Sequence, residues 1–276
     1  MNLLKIAALI IIIVYLAIQI ILYVLQTRLI FYPGKLSPAF KFKLRPGDEE
    51  VFLETKDSEK INAIFYKGNK AEVILYFHGN AGDLSGWQFA AEDFSLLEYN
   101  VLIVDYRGYG KSSGTISENG FYADAEAAYN FLTGEKDFAP ENIIVYGRSI
   151  GSGVAVEIAS KFPCKGLVLE SPYSSLKKLA DEKLPFFFPS LYLKYSFDNF
   201  KKINEVKCPI IFLHGVKDTL IPVSHAKKLC EKFKGRKKLV LVAEGSHNDL
   251  NSFDEHSVFL HEVLPMFFDI SQTKVN

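Results

Sequence analysis

The stretch VYGRSIGSG, residues 145–153, decides the fold: Ser149 either stands on a strained turn or sits in an ordinary glycine-rich loop. Just before it, residues 142–146 (NIIVY) form a short β-branched, apolar run of the kind a buried parallel strand requires. Just after it, residues 154–159 mix small and apolar side chains, as a helix packed on a sheet does. Strand, sharp turn and helix thus follow one another, with a serine at the apex and a glycine on each side. That context separates a nucleophile-bearing G-x-S-x-G turn from a chance match.

The same alternation extends in both directions. Residues 51–55 and 61–66 read as an opening hairpin, and 73–77 (VILYF) and 101–106 (VLIVDY) as buried strands. Further strands are expected at 166–170, 209–213 (PIIFL) and 239–242, with helices at 84–97, 118–132, 222–235 and 253–268 between and after them. Alternating units of this kind predict an α/β fold: a mostly parallel central sheet with helices on both faces, here over residues 49–276. One interval breaks the pattern. Residues 172–206 carry LPFFFPSLYLKYSFDNF, dense in aromatics and without a clean period, and longer than a simple crossover needs. A small cap over the site is the reading adopted; a crossover helix with a heavy apolar face is the plainer alternative.

The N-terminus belongs to a different solvent. Residues 6–25 read IAALIIIIVYLAIQIILYVL, with Gln19 the one strongly polar residue. At 1.5 Å per residue such a helix is about 30 Å long, the thickness of a bilayer's hydrocarbon core. No small-x-small cleavage site follows, so residues 1–28 are expected to be an uncleaved single-span anchor, followed by a proline-punctuated connector at 29–48. Lys5 precedes the span, whereas Arg28, Lys35, Lys41, Lys43 and Arg45 follow it. The positive-inside rule then leans towards a cytoplasmic C-terminal domain.

Composition narrows the function. Thirty-two basic residues balance thirty-two acidic ones, so no net field attracts nucleic acid. The basic run KFKGRKK (232–238) reads as a solvated helix end. Cys164, Cys208 and Cys230 are scattered singly, without metal-ligand spacing, and read as inert thiols. No phosphate-binding loop or ligand cluster appears, so no cofactor is expected.

A serine hydroxyl is a poor nucleophile at neutral pH; it needs an adjacent base, and the base an orienting carboxylate. On a sheet of this type the order along the chain is serine, acid, histidine, each in a loop after a strand. Asp218 lies in LHGVKDTLIP, after the 209–213 strand, and His247 in AEGSHND, after the 239–242 strand. Glu170, at the end of its strand, is the rival acid; Asp249 stands too near His247 to orient it. His214 abuts its strand, and His225, His256 and His261 fall on helices. The oxyanion that forms on attack needs backbone donors. The N–H of Ile150 is one; Asn80 in HGNAGD offers the second, with Ala81 as its neighbour to compare.

FHGNAGD, VDYRGYGKSSG, VYGRSIGSGVA, ESPYSS, HGVKDTLIP and GSHND together resemble the membrane-anchored branch of the α/β-hydrolase superfamily, which includes the bud-emergence-protein-like hydrolases and the abhydrolase-domain depalmitoylases. The resemblance covers nearly the whole chain and implies Ser149, Asp218 and His247 as nucleophile, acid and base. DYRGYGKSSG (105–114) is a hallmark of that family, and is read here as a structural loop near the site with Asp105 and Arg107 in an ion pair. The N-terminal cysteine cluster that anchors the depalmitoylases is missing, so depalmitoylation is not implied. These readings lead to a membrane-anchored serine hydrolase of carboxylic esters or thioesters, its acyl substrate held in an apolar pocket lined by the phenylalanine run. A serine peptidase for short peptides and an idle membrane-anchored scaffold are the alternatives.

Overall fold

A computed structural model describes residues 3–268. Its centre is an eight-stranded sheet of β1 (Glu49–Glu54), β2 (Lys60–Tyr66), β3 (Val73–Phe77), β4 (Asn100–Val104), β5 (Ile143–Arg148), β6 (Gly166–Glu170), β7 (Ile210–Gly215) and β8 (Lys237–Val242). The spatial order is β1-β2-β4-β3-β5-β6-β7-β8. β2 is antiparallel to both β1 and β4, and every later pairing is parallel. The register sets Phe77 beside Gly147 and Arg148 beside Glu170, so β3, β5 and β6 end at one level. All their connecting loops emerge there, at the carboxyl edge where α/β sheets hold their ligands.

The central strands read as unbroken apolar runs because both faces are covered. Val73, Leu75 and Phe77 face one core, beneath α3 (Glu118–Asn130) and α4 (Gly151–Lys161), whereas Ile74 and Tyr76 face the other. There they meet Phe94 of α2 (Leu84–Leu96) and Phe259 and Leu264 of the closing helix. That closing helix is Asp254–Val258, a π turn at Phe259–Val263, then Leu264–Phe268. Asp83 caps α2 and Ser117 caps α3, each with its side-chain oxygen on a first-turn N–H. At the amino ends of β6 and β7, Cys164 Sγ lies 3.2 Å from Cys208 Sγ. That contact and burial both push the Cys164 thiol up, away from the reactive thiolate.

Between β6 and β7 the chain forms α5 (Leu176–Lys183), a turn at Pro189–Leu191 and the single turn α6 (Asn199–Lys202). Tyr173 and Phe197 of this insert are buried on α4: a Cβ at Gly153 would lie 2.4 Å from the Tyr173 hydroxyl and 2.8 Å from the Phe197 ring. The phenylalanine run goes elsewhere. Phe188 has a left-handed φ of 46° and opens the turn at Pro189–Leu191. Phe187 stacks on Tyr15 of α1 (Leu3–Ile30), while Phe186 and Phe188 are exposed. The expectation that this run lines an acyl pocket is therefore corrected: its middle ring packs on the N-terminal helix and the two beside it are exposed.

α1 is 28 residues long, long and apolar enough by length and composition to cross a membrane. The connector beyond it is built into the domain. Tyr32–Pro33 pairs in parallel with Ala81–Gly82, and Phe31 is buried edge-on to Phe121 and Tyr195, at centroid distances of 5.5 and 4.8 Å. Phe31→Ala removes that ring and is expected to destabilise the fold by about 3–5 kcal/mol, measurable by denaturant unfolding in detergent micelles; an unchanged midpoint would show that the connector does not hold the domain.

Candidate active site

Ser149 lies between β5 and α4 with φ 53°, a left-handed backbone that a side-chain-bearing residue adopts only when its surroundings enforce it. The surroundings here are close backbone contacts. A Cβ at Gly151 would fall 2.2 Å from the Phe77 carbonyl oxygen, and one at Gly147 would fall 2.5 Å from Ala155 Cβ. Only glycine at both positions lets the turn lie on the end of β3 and α4 start at once. Ser149 N–H donates to the Glu170 carbonyl at 2.9 Å, which fixes the apex to the neighbouring strand.

Three loops then meet. His247 Nε2 is 3.0 Å from Ser149 Oγ, and His247 Nδ1 is 2.7 Å from Asp218 Oδ2. A carboxylate only accepts, so Nδ1 carries the proton and Nε2 is free to accept from the serine hydroxyl. Asp218 Oδ1 accepts from the N–H groups of Leu220 and Ile221 at 2.9 and 2.8 Å. Burial alone would raise the Asp218 carboxyl. Hydrogen bonds from His214 and His247 and the Ile221 N–H outweigh it and hold the group well below the usual carboxylate range, an anion at neutral pH. The acid and histidine loops also support one another: Val216 N–H donates to the Val242 carbonyl and Lys217 N–H to that of Gly245, both at 2.9 Å.

The HGNAG loop closes the other side. A Cβ at Gly79 would lie 3.9 Å from Ser149 Cβ and 3.2 Å from the Trp87 ring, so this backbone runs directly past the serine. Asn80 is tied down through its other groups. Its carbonyl accepts from Tyr32 N–H at 3.0 Å and Tyr109 hydroxyl at 2.9 Å, and its side-chain Nδ2 donates to the Ile30 carbonyl at 2.7 Å. Among the described residues, the backbone N–H groups of Asn80 and Ile150 donate to no protein acceptor. α4 also lacks a side-chain cap, which leaves its positive end open towards the serine.

Of the residues singled out in the sequence, Ser149, Asp218 and His247 are in contact, and Gly79 brings the Asn80 loop to the serine. Glu170 does not reach His247. It accepts from Tyr146 hydroxyl at 2.6 Å and pairs with Arg148 Nε at 3.1 Å. The expected Asp105–Arg107 ion pair is absent and is corrected. Asp105 is fully buried against His78 Nε2 (3.2 Å) and Leu84 N–H (3.1 Å), while the turn after β4 sends Arg107 to Asp124 on α3 and Asp57 in the β1–β2 hairpin.

Two residues escaped sequence reasoning. Arg148 lies over the Trp87 ring at 5.2 Å and donates to the His247 carbonyl at 3.3 Å, bracing the histidine loop. Its adjacency to Ser149 and its register opposite Glu170 were the available signals. His214, set aside because it abuts its strand, has Nε2 2.8 Å from the Ile221 carbonyl and 3.4 Å from Asp218 Oδ2, so it supports the Asp218 carboxylate. Among the described residues no group of three or more His, Cys, Asp or Glu could hold a metal ion.

Residues 72–200 match the family described as the alpha/beta hydrolase fold. An uncharacterised protein of Mycobacterium tuberculosis is 32% identical over 232 residues, 83% of each chain. Alpha/beta hydrolase domain-containing protein 17C of Mus musculus is 33% identical over 214 residues; the alignment covers 75% of this chain and 65% of that relative. Among solved structures, the Pyrococcus furiosus esterase Pf2001 superposes with a TM-score of 0.67 at 21% identity, covering 87% of this chain and 96% of that one, a likeness of fold.

Gly151→Ala drives a methyl into a backbone carbonyl and is expected to lose about 3 kcal/mol or more of stability. Gly86→Ala, in α2 with nothing within 4 Å of the added carbon, is expected to gain about 0.5–1 kcal/mol. Thermal unfolding of both variants separates a steric requirement at the turn from a general dislike of alanine.

Proposed function

The chain belongs to the alpha/beta hydrolase superfamily, and on that premise we propose that it is a membrane-anchored serine hydrolase cleaving carboxylic ester or thioester bonds. The observation that carries this reading is the continuous path from Ser149 Oγ through His247 to Asp218, at 3.0 and 2.7 Å, starting from a serine held at φ 53°. In the first half-reaction Ser149 Oγ attacks the acyl carbonyl carbon while His247 Nε2 takes the hydroxyl proton. The carbonyl oxygen becomes an oxyanion, received by the Asn80 and Ile150 N–H groups and favoured by the open end of α4. As the intermediate collapses, His247 returns the proton to the departing alcohol or thiol, leaving an acyl-serine. Water then attacks that ester with His247 again as base, releasing the acid and regenerating the serine. Asp218 holds the imidazole in its working tautomer and balances the charge it gains.

The remaining assignments follow the sequence. Residues 1–28 form the anchor, with the catalytic domain on the cytoplasmic side by the distribution of basic residues, and residues 172–206 form the cap. Support for the anchor comes from α1, whose most apolar window is unburied throughout.

A fluorophosphonate probe should label the parent protein and not Ser149→Ala, which keeps the parent's circular dichroism. Hydrolysis of p-nitrophenyl acyl esters should fall about 10⁴–10⁶-fold in Ser149→Ala and His247→Ala, and about 10⁴-fold in Asp218→Asn, as it does when other serine–histidine–acid sites are dismantled. Parent-like turnover in Ser149→Ala would sink the scheme.

A further inference from the structure

Five polar side chains of α1, those of Tyr15, Gln19, Tyr23, Gln26 and Thr27, lie on one stripe and meet the insert between β6 and β7. Tyr15 hydroxyl donates to the Phe186 carbonyl at 3.0 Å, and Gln19 Nε2 to the Phe187 carbonyl at 2.9 Å. Lys194 Nζ lies 4.9 Å from the Tyr23 ring centroid, Gln26 Oε1 accepts from Lys194 N–H at 2.7 Å, and Thr27 Oγ1 is 2.7 Å from the Tyr195 hydroxyl. Positions 15, 19, 23, 26 and 27 recur at helical spacing, so the insert climbs alongside the helix.

How far it climbs can be measured against a bilayer. A helix of 28 residues is about 42 Å long, and the hydrocarbon core is about 30 Å thick, so about 12 Å, or roughly eight residues, can lie outside it. If all of that excess is assigned to the C-terminal end, hydrocarbon begins near Tyr23. Gln19 then lies about 6 Å and Tyr15 about 12 Å below the boundary. The carbonyls they bind go with them. A carbonyl in hydrocarbon needs an internal donor, and two of those at the tip of the insert have one from the span itself. The tip's side chains suit the same solvent: Phe186 is 79%, Phe188 55% and Leu191 83% exposed, on a segment bonded to α1, whose own apolar side chains are exposed too. Lys194, beside Tyr23, sits where a cation and an aromatic ring meet the headgroups.

We infer that the tip of this insert, around Phe186, Phe188 and Leu191, is immersed among the acyl chains of the leaflet next to the enzyme, as a second membrane-embedded element docked on the anchor. The inference rests on α1 spanning the bilayer.

The test uses the full chain in phosphatidylcholine vesicles. Phe186→Trp and Leu191→Trp place reporters at exposed positions where folding is not at stake. Leu96→Trp, exposed at the end of α2 by the amino edge of the sheet, supplies the reference, and the parent gives the Trp87 background. With lipids brominated along their acyl chains, the emission added at positions 186 and 191 should be quenched, and that added at position 96 should not. In parallel, alkaline carbonate extraction asks whether the chain is integral. A carbonate-resistant chain with both tip reporters unquenched would overturn the inference while leaving the anchor standing; solvent or a second copy would then cover the tip. Release by carbonate would withdraw the span and the inference with it.

Discussion

The closeness of the turn after β5 to the end of β3 governs everything at the carboxyl edge. Gly151 approaches the carbonyls of Phe77 and His78 so nearly that a Cβ would fall 2.2 and 2.7 Å from them. That approach forces Ser149 into its left-handed backbone, at a cost of the order of 1–3 kcal/mol. It also sets the start of α4 beside the HGNAG loop. The two candidate oxyanion donors come from these two pieces of chain, so the contact that strains the serine also pairs the donors. On the far side, β7 and β8 run in register to Gly215 and Val242, and a Cβ at Gly215 would fall 2.4 Å from the Gly245 carbonyl. The loops that carry Asp218 and His247 therefore leave the sheet at one height with no space between them.

Much of this was legible because it depends on order along the chain. A strand buried on both faces must be an apolar run, and the loop after it must reach the carboxyl edge; that logic put Ser149, Asp218 and His247 forward as candidates, and the three are in contact. What stayed hidden depends on direction. Asp105 and Arg107 are two residues apart in a turn, and spacing says nothing about which neighbour each side chain will face once the turn is made. Loop position favoured Asp218 over Glu170 but left Glu170 a rival, because spacing does not show that its side chain turns to Tyr146 and Arg148. The phenylalanine run misled for a related reason: aromatic density signals burial or an apolar solvent, but not which of the two.

Gln19 shows the same point from the other side. Taken singly, a glutamine in a span is a defect that costs free energy in hydrocarbon. Taken with Tyr15, Tyr23, Gln26 and Thr27 it becomes one rung of a polar stripe, each rung facing a group on the insert. The stripe was present in the sequence at i, i+4 spacing. Its meaning was not, because its partners lie about 170 residues further along the chain.

The splice at the base of α1 has a practical side. Ile30, at the last turn of the helix, accepts from the Asn80 side chain, and Tyr32 donates to the Asn80 carbonyl. The N-terminal helix is thus no leash from which the rest of the chain swings. Its root is one wall of the loop that carries Asn80, and Gly34 and Leu36 continue that wall by donating to Gly82 and Gly110. A fragment trimmed to begin at β1 for the sake of solubility would discard this wall, and an inactive fragment of that kind would report on the surgery rather than on the enzyme.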